Sequence, residues 1–206
     1  MLNNTEIIQW LNGDITFLKK RSKICEDEWG KDILKIYHPE LKIKKQWTGM
    51  FGELLCEELY NILGKNPHKP ECKEHYQPDF ETDNEIIEVK TQTYLTDGTA
   101  GEKILGCPFK YSEIPFLYNK PLKIVCLGGA EKLSRERYGN LPGKKTNNIK
   151  NNFLEFYKLH QIEFIGFSEL LIYAFNNSSI NSFIDSKNSS DNNSVDELID
   201  ELLEFL

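Results

Sequence analysis

The sequence predicts a single α/β domain on three observations: its length, the order of its patterned segments, and an amphipathic helix that leads into a hairpin. At 206 residues the chain can fill one hydrophobic core and is too short for two comfortable ones. The segments run helix, hairpin, helix, buried strand, helix, strand. Short helical patterns occupy Thr5 to Leu18 and Trp29 to Tyr37, separated by Lys19, Lys20, Arg21 and Lys23. From Trp47, apolar Phe51, Leu54, Leu55, Leu59 and Ile62 recur at three- and four-residue spacing, and Gly64 marks the helix end. Two strand-like runs, 79–82 and 85–94, flank Asp83-Asn84, a two-residue hairpin turn. Residues 98–118 begin as a glycine-punctuated helix broken by Pro108 and Pro115, and 122–127 reads as a buried strand ending at Gly128-Gly129. A basic stretch, 132–150, precedes a helix over 152–160, a strand over 162–167 and a short helix over 168–175.

The domain is therefore drawn as 1–175. Residues 176–194 are rich in Asn and Ser and too poor in apolar side chains to offset ordering, so a flexible linker is expected. Over 195–206, Ser194 and Glu197 make a capping-box pattern, and Val195, Leu198, Ile199, Leu202, Leu203 and Leu206 fall on one helical face. This acidic amphipathic helix needs something to pack on: its own domain, a sister subunit or a dedicated partner. No apolar run approaches the roughly 20 residues of a membrane span, and no signal peptide is expected. Five scattered cysteines suit free thiols in a reducing compartment, so the expectation is a soluble cytoplasmic protein.

A net charge of −7 does not argue for a nucleic-acid partner, but its placement keeps one open. From Asn176 onward there are seven acids against Lys187 alone, which leaves residues 1–175 one charge below neutral. Such a body can carry a basic face and a carboxylate cluster on different sides.

The hairpin carries the chemistry. With Asp83 and Asn84 in the turn, Thr82 faces Glu85, Phe80 faces Ile87 and Asp79 faces Glu88. Alternation puts Glu88, Lys90 and Gln92 on the Asp79 side and turns Ile87 and Val89 into a core. Facing Cβ atoms lie about 4.5–5.5 Å apart, where like charges repel and a divalent cation removes the penalty. Carboxylate oxygens suit Mg²⁺, which binds one or two acids plus waters and a substrate phosphate. Such an ion neutralises developing charge and lowers the pKa of a bound water, while Lys90 can orient that water or stabilise the pentacovalent charge.

Pro78-Asp79 at a strand start, then Glu88-x-Lys90 within Ile86-Ile87-Glu88-Val89, resembles the PD-(D/E)XK nuclease superfamily over about 47–127. The resemblance implies a restriction-endonuclease-like core with a central mixed β-sheet flanked by helices. It further implies Asp79, Glu88 and Lys90 as catalytic residues, with the two acids holding Mg²⁺ or, in its place, Mn²⁺. Gly49-Met-Phe-Gly52-Glu53 is similar to the family's helix entry and makes Glu53 a third metal-side acid. On the helical wheel Glu53 lies opposite the apolar stripe, so Glu57 and Glu58 remain alternatives. Gln92 extends the motif to E-x-K-x-Q.

The segment 96–104 resembles type II restriction endonucleases, which implies a homodimer cutting double-stranded DNA at a short recognition sequence, with a cognate DNA methyltransferase protecting the host. Junction resolvases and repair nucleases of the superfamily would share every catalytic residue. Gly98 and Gly101 would let backbone approach a phosphate, and Lys103 and Lys110 add charge there. Arg135, Arg137, Lys144 and Lys145 are expected in a loop that either contacts DNA, where an arginine could read guanine, or is an ordinary solvated charge run. A competing class is a zinc-binding module on His68, Cys72 and His75, for which no fourth ligand is evident.

Overall fold

The computed structural model describes residues 4–43, 46–95 and 99–176. The expected linker from 177 on and the 195–206 helix lie outside them, as do Thr96, Asp97 and Gly98. Helix α1 is Asn4–Leu11, shorter than its sequence pattern because Gly13 takes left-handed backbone (φ 81°) and turns the chain. Helix α2 is Lys23–Tyr37, starting well before Trp29. Its start is set by Ser22, whose hydroxyl caps the Cys25 N–H at 3.3 Å. Helix α3 is Trp47–Ile62 and ends at left-handed Gly64, past which the Lys65 N–H returns to the Tyr60 carbonyl.

The sheet has four strands in the order β1 (Phe80–Glu81), β2 (Ile86–Gln92), β3 (Leu122–Gly128) and β4 (Ile162–Gly166). β1 runs antiparallel to β2, whereas β2, β3 and β4 are parallel. Between β2 and β3 come three short helices, α4 (Ala100–Leu105), α5 (Cys107–Lys110) and α6 (Ile114–Tyr118). Between β3 and β4 lie α7 (Gly129–Leu133), a π-helical turn (Ser134–Tyr138) and α8 (Asn148–Leu159), and α9 (Phe167–Asn176) follows β4. This is an α/β fold with a mixed sheet flanked by helices.

Two apolar cores sandwich the sheet. Ile87, Val89, Val125 and Leu127 pack with α1, α2, α3 and α9, and Ile86, Ile124, Cys126 and Ile162 pack with α4 to α7. Alternation alone suggested one covered face of β2, but a strand between two neighbours with helices on each side is buried on both. Glu88 is accordingly only 4 % exposed.

The helical layer is pinned by carboxylates. Each tryptophan indole N–H donates to an acid at 2.9 Å: Trp10 to Glu26, Trp29 to Glu6, Trp47 to Asp27. Glu26 is fully buried and also accepts the Tyr94 and Leu95 amides at 2.9 and 3.3 Å, tying the exit of β2 to α2. Glu26→Ala strands these donors, each buried orphan costing about 1–3 kcal/mol. Urea unfolding should show a midpoint lowered accordingly with an unchanged slope; an unmoved midpoint would remove Glu26 from this role.

Candidate active site

The turn at Asp83-Asn84 forms as its residue types dictate. The Thr82 N–H donates to the Glu85 carbonyl at 2.9 Å, and the Thr82 hydroxyl accepts the Asn84 and Glu85 amides. The resulting register pairs Phe80 with Ile87 and Glu81 with Ile86, as counted from the turn. Asp79 sits one residue before β1 and swings its carboxylate onto the strand, where Oδ2 accepts the Val89 N–H at 2.6 Å. Along β2, the Glu88 carboxylate accepts from the Lys90 ammonium, which also donates to the Val89 carbonyl at 3.2 Å.

Burial first, and then the charge of Glu88, push the Asp79 carboxyl up to about 7, with Glu53 adding to the rise; Lys90 and the Val89 N–H oppose it. Burial alone would lower the Lys90 ammonium, but Glu88, Cys107 and Asp79 outweigh it and hold the group above its ordinary value. Lys90 is therefore a cation and a donor at neutral pH, not a base. Glu53 is among the charges that raise Asp79, so the α3 acid lies within electrostatic range of the hairpin. Glu57 instead is raised by burial and by its neighbour Glu58, and neither of those two acids is among the charges that move Asp79.

Gly52 lets α3 come close to β2. A Cβ there would meet Thr91 Oγ1 at 1.9 Å and Thr91 Cβ at 3.0 Å, so α3 lies directly on β2. No Thr91 rotamer relieves the second contact. Gly52→Ala should lift α3 from the hairpin and lower the melting temperature by several degrees, an overpacking cost of about 1–3 kcal/mol. Calorimetry checks this; an unchanged melt would mean that α3 has slack.

Sequence reasoning missed the roof. Tyr111, at the end of α5, lies near Glu88, and its hydroxyl is raised by burial and then by the Glu88 charge. Lys110 donates to that hydroxyl at 2.8 Å, and the Lys90 ammonium lies 5.9 Å from the ring centroid. Cys107, on the same short helix, is pushed up to about 12 by burial, against the pull of Lys90. No periodicity marks these residues, and only the chain's return over β2 brings them to the motif. Among the described residues, no three His, Cys, Asp or Glu side chains already converge as a metal cage, His68, Cys72 and His75 included. His68 instead bridges by backbone to Glu81, extending the sheet edge.

The expected DNA contacts divide. Lys103 and Lys110 are exposed on the roof helices, whereas Gln92 is 6 % exposed with its Oε1 buried and unpaired. Arg137, Lys144 and Lys145 are exposed away from the hairpin motif in sequence. Arg135 is built into the fold: it donates to Glu131 at 2.9 Å, to Glu169 at 2.8 Å and to the Pro142 carbonyl at 3.0 Å. Glu131 in turn accepts the Ser168 N–H at 3.1 Å. The segment read as a loop is thus α7 and a π-helical turn clamped to α9, beside a cavity of about 340 Å³ lined by Tyr94, Gly128, Lys132 and Ser168 among others.

No family model matches the chain, and neither a curated protein nor a solved structure is significantly similar to it. Among the described residues, no helix is long and apolar enough to cross a membrane.

Proposed function

We propose that the chain is a Mg²⁺-dependent endodeoxyribonuclease with a restriction-endonuclease-like core, hydrolysing phosphodiester bonds of double-stranded DNA at a short recognition sequence. One arrangement carries the reading: Asp79, accepting the Val89 N–H at 2.6 Å, and Glu88, accepting from the Lys90 ammonium, meet on β2, where burial and then the Glu88 charge push Asp79 up to about 7. Two hard oxygen donors that repel each other in a poorly solvated place are what a small divalent ion relieves, so the donor set fits Mg²⁺, with Mn²⁺ as a substitute.

Asp79 and Glu88 would hold the ion, with Glu53 adding negative charge from α3. Once bound, the ion supplies charge neutralisation at the scissile phosphate and a lowered pKa for water. The chain's own part is electrostatic and positional. Lys90, kept protonated, offers N–H donors to a phosphoryl oxygen or to the attacking water. Lys90, bonded to Glu88, orients it. Lys110 and Lys103 on the roof meet flanking phosphates, which position the duplex without reading it. A homodimer would present two such sites to the two strands, and a partner methyltransferase would protect the host's own copies of the target.

The test is incubation of the purified chain with plasmid, with a synthetic four-way junction and with Mg²⁺ or EDTA. Discrete plasmid fragments that require Mg²⁺ support the reading. Cleavage of the junction with intact plasmid would move the assignment to a structure-specific nuclease of the same superfamily, and no cleavage of either would sink it.

A further inference from the structure

Helix α8 presents an apolar surface that nothing among the described residues covers. None of its residues is buried, and Leu154 and Tyr157 alone rest on the core beneath the sheet. Ile149 is 70 % exposed, Phe153 61 %, Phe156 55 % and Leu159 81 %. The first three follow one another at four- and three-residue spacing, so they form one stripe, extended by His160, whose ring lies 4.6 Å from Phe156. Scattered apolar residues on a surface are ordinary, but a contiguous stripe with two phenylalanines marks an interaction site.

We propose that this stripe is the docking surface for the chain's own acidic C-terminal segment, 195–206. Three features select that occupant. The segment repeats the same spacing, with Val195, Ile199, Leu202 and Leu206 on one face, so two apolar stripes of similar length face the same need for cover. Charge is complementary: the segment carries Asp196, Glu197, Asp200, Glu201 and Glu204, and 144–160 holds Lys144, Lys145, Lys150 and Lys158 against Glu155 alone. Reach is sufficient, because α9 and α8 both flank β4, and the residues between Asn176 and Val195 span up to about 60 Å extended. Docking is intramolecular, so the linker sets a high effective concentration and a modest interface is enough. The inference is independent of the nuclease reading.

Hydrogen exchange on the full chain tests it. Ile199→Asp/Leu202→Asp alters only the segment's apolar face and should speed exchange of the α8 amides by about tenfold. Phe153→Ser/Phe156→Ser should in turn speed exchange over 195–206, with the mass by light scattering unchanged in both variants and the protection independent of protein concentration. Unchanged α8 exchange in the first variant overturns the proposal. So does a dimer whose mass halves in the second variant but not in the first, since a second copy would then be the cover.

Discussion

Lys90→Met is expected to slow DNA cleavage by about 10²–10³-fold, the usual effect of deleting one preorganised donor to a developing anion. Single-turnover cleavage of a labelled duplex at saturating Mg²⁺ measures it. The ammonium is held above its ordinary value by the acids around it, so what the substitution removes is a permanent positive charge. It also leaves Glu88, 4 % exposed, without its cation. Breaking a buried pair on one side costs about 3–5 kcal/mol, so the variant should melt at lower temperature in EDTA. Adding Glu88→Gln removes the stranded charge and should recover most of that stability without recovering cleavage. A Lys90→Met chain that cuts within a few-fold of wild type would take Lys90 out of the chemistry.

Asp79→Asn should abolish cleavage and yet stabilise the metal-free protein at alkaline pH. Asp79 is pushed to about 7 in the fold, against about 3.9 in an unfolded chain. Between those values the folded state keeps a proton that the unfolded state has released. Its contribution to stability is therefore full below about pH 4 and is lost as pH rises through 7. The upper bound on that loss is about 4 kcal/mol, and the other acids titrate in both proteins, so the difference between them isolates Asp79. Urea unfolding in EDTA should give matching midpoints near pH 4 and a higher midpoint for Asp79→Asn at pH 8. Mg²⁺ should then raise the wild-type midpoint at pH 8 and leave the variant's nearly where it was. A wild-type midpoint indifferent to Mg²⁺ would separate Asp79 from ion binding.

What could be read from the sequence was local. Asp83-Asn84 between alternating runs specifies its own register, and the pairing of Phe80 with Ile87 follows from counting outward from the turn. The three- and four-residue spacing from Trp47 gave α3 nearly to its ends. What stayed hidden depends on residues far apart in the chain. Glu26 meets the Tyr94 amide 68 positions away, and nothing near either residue announces the meeting. Tyr111 reaches Glu88 only because α4 and α5 fold back over β2. Arg135 looked like a free basic side chain because its partners, Glu131 on the preceding turn and Glu169 on α9, are brought to it by the crossover. The wheel left Glu53, Glu57 and Glu58 as alternatives for the helix acid, since an apolar stripe shows which face is buried but not how closely Gly52 lets the helix approach the strand.

The grouping of Trp10, Trp29 and Trp47, with ring centroids 5.5–5.9 Å apart, divides the molecule spectroscopically. All the indoles lie in the layer of α1, α2 and α3, each bonded to a carboxylate, whereas the hairpin's own aromatic contact is Phe80 with Tyr60, and Tyr76 and Tyr111 pair on the other side. Indole emission therefore follows the fate of the helical layer that Glu6, Glu26 and Asp27 pin. The indole signal thus reports on the packing of α1, α2 and α3 apart from events at the Glu88–Lys90 pair on the opposite face of β2.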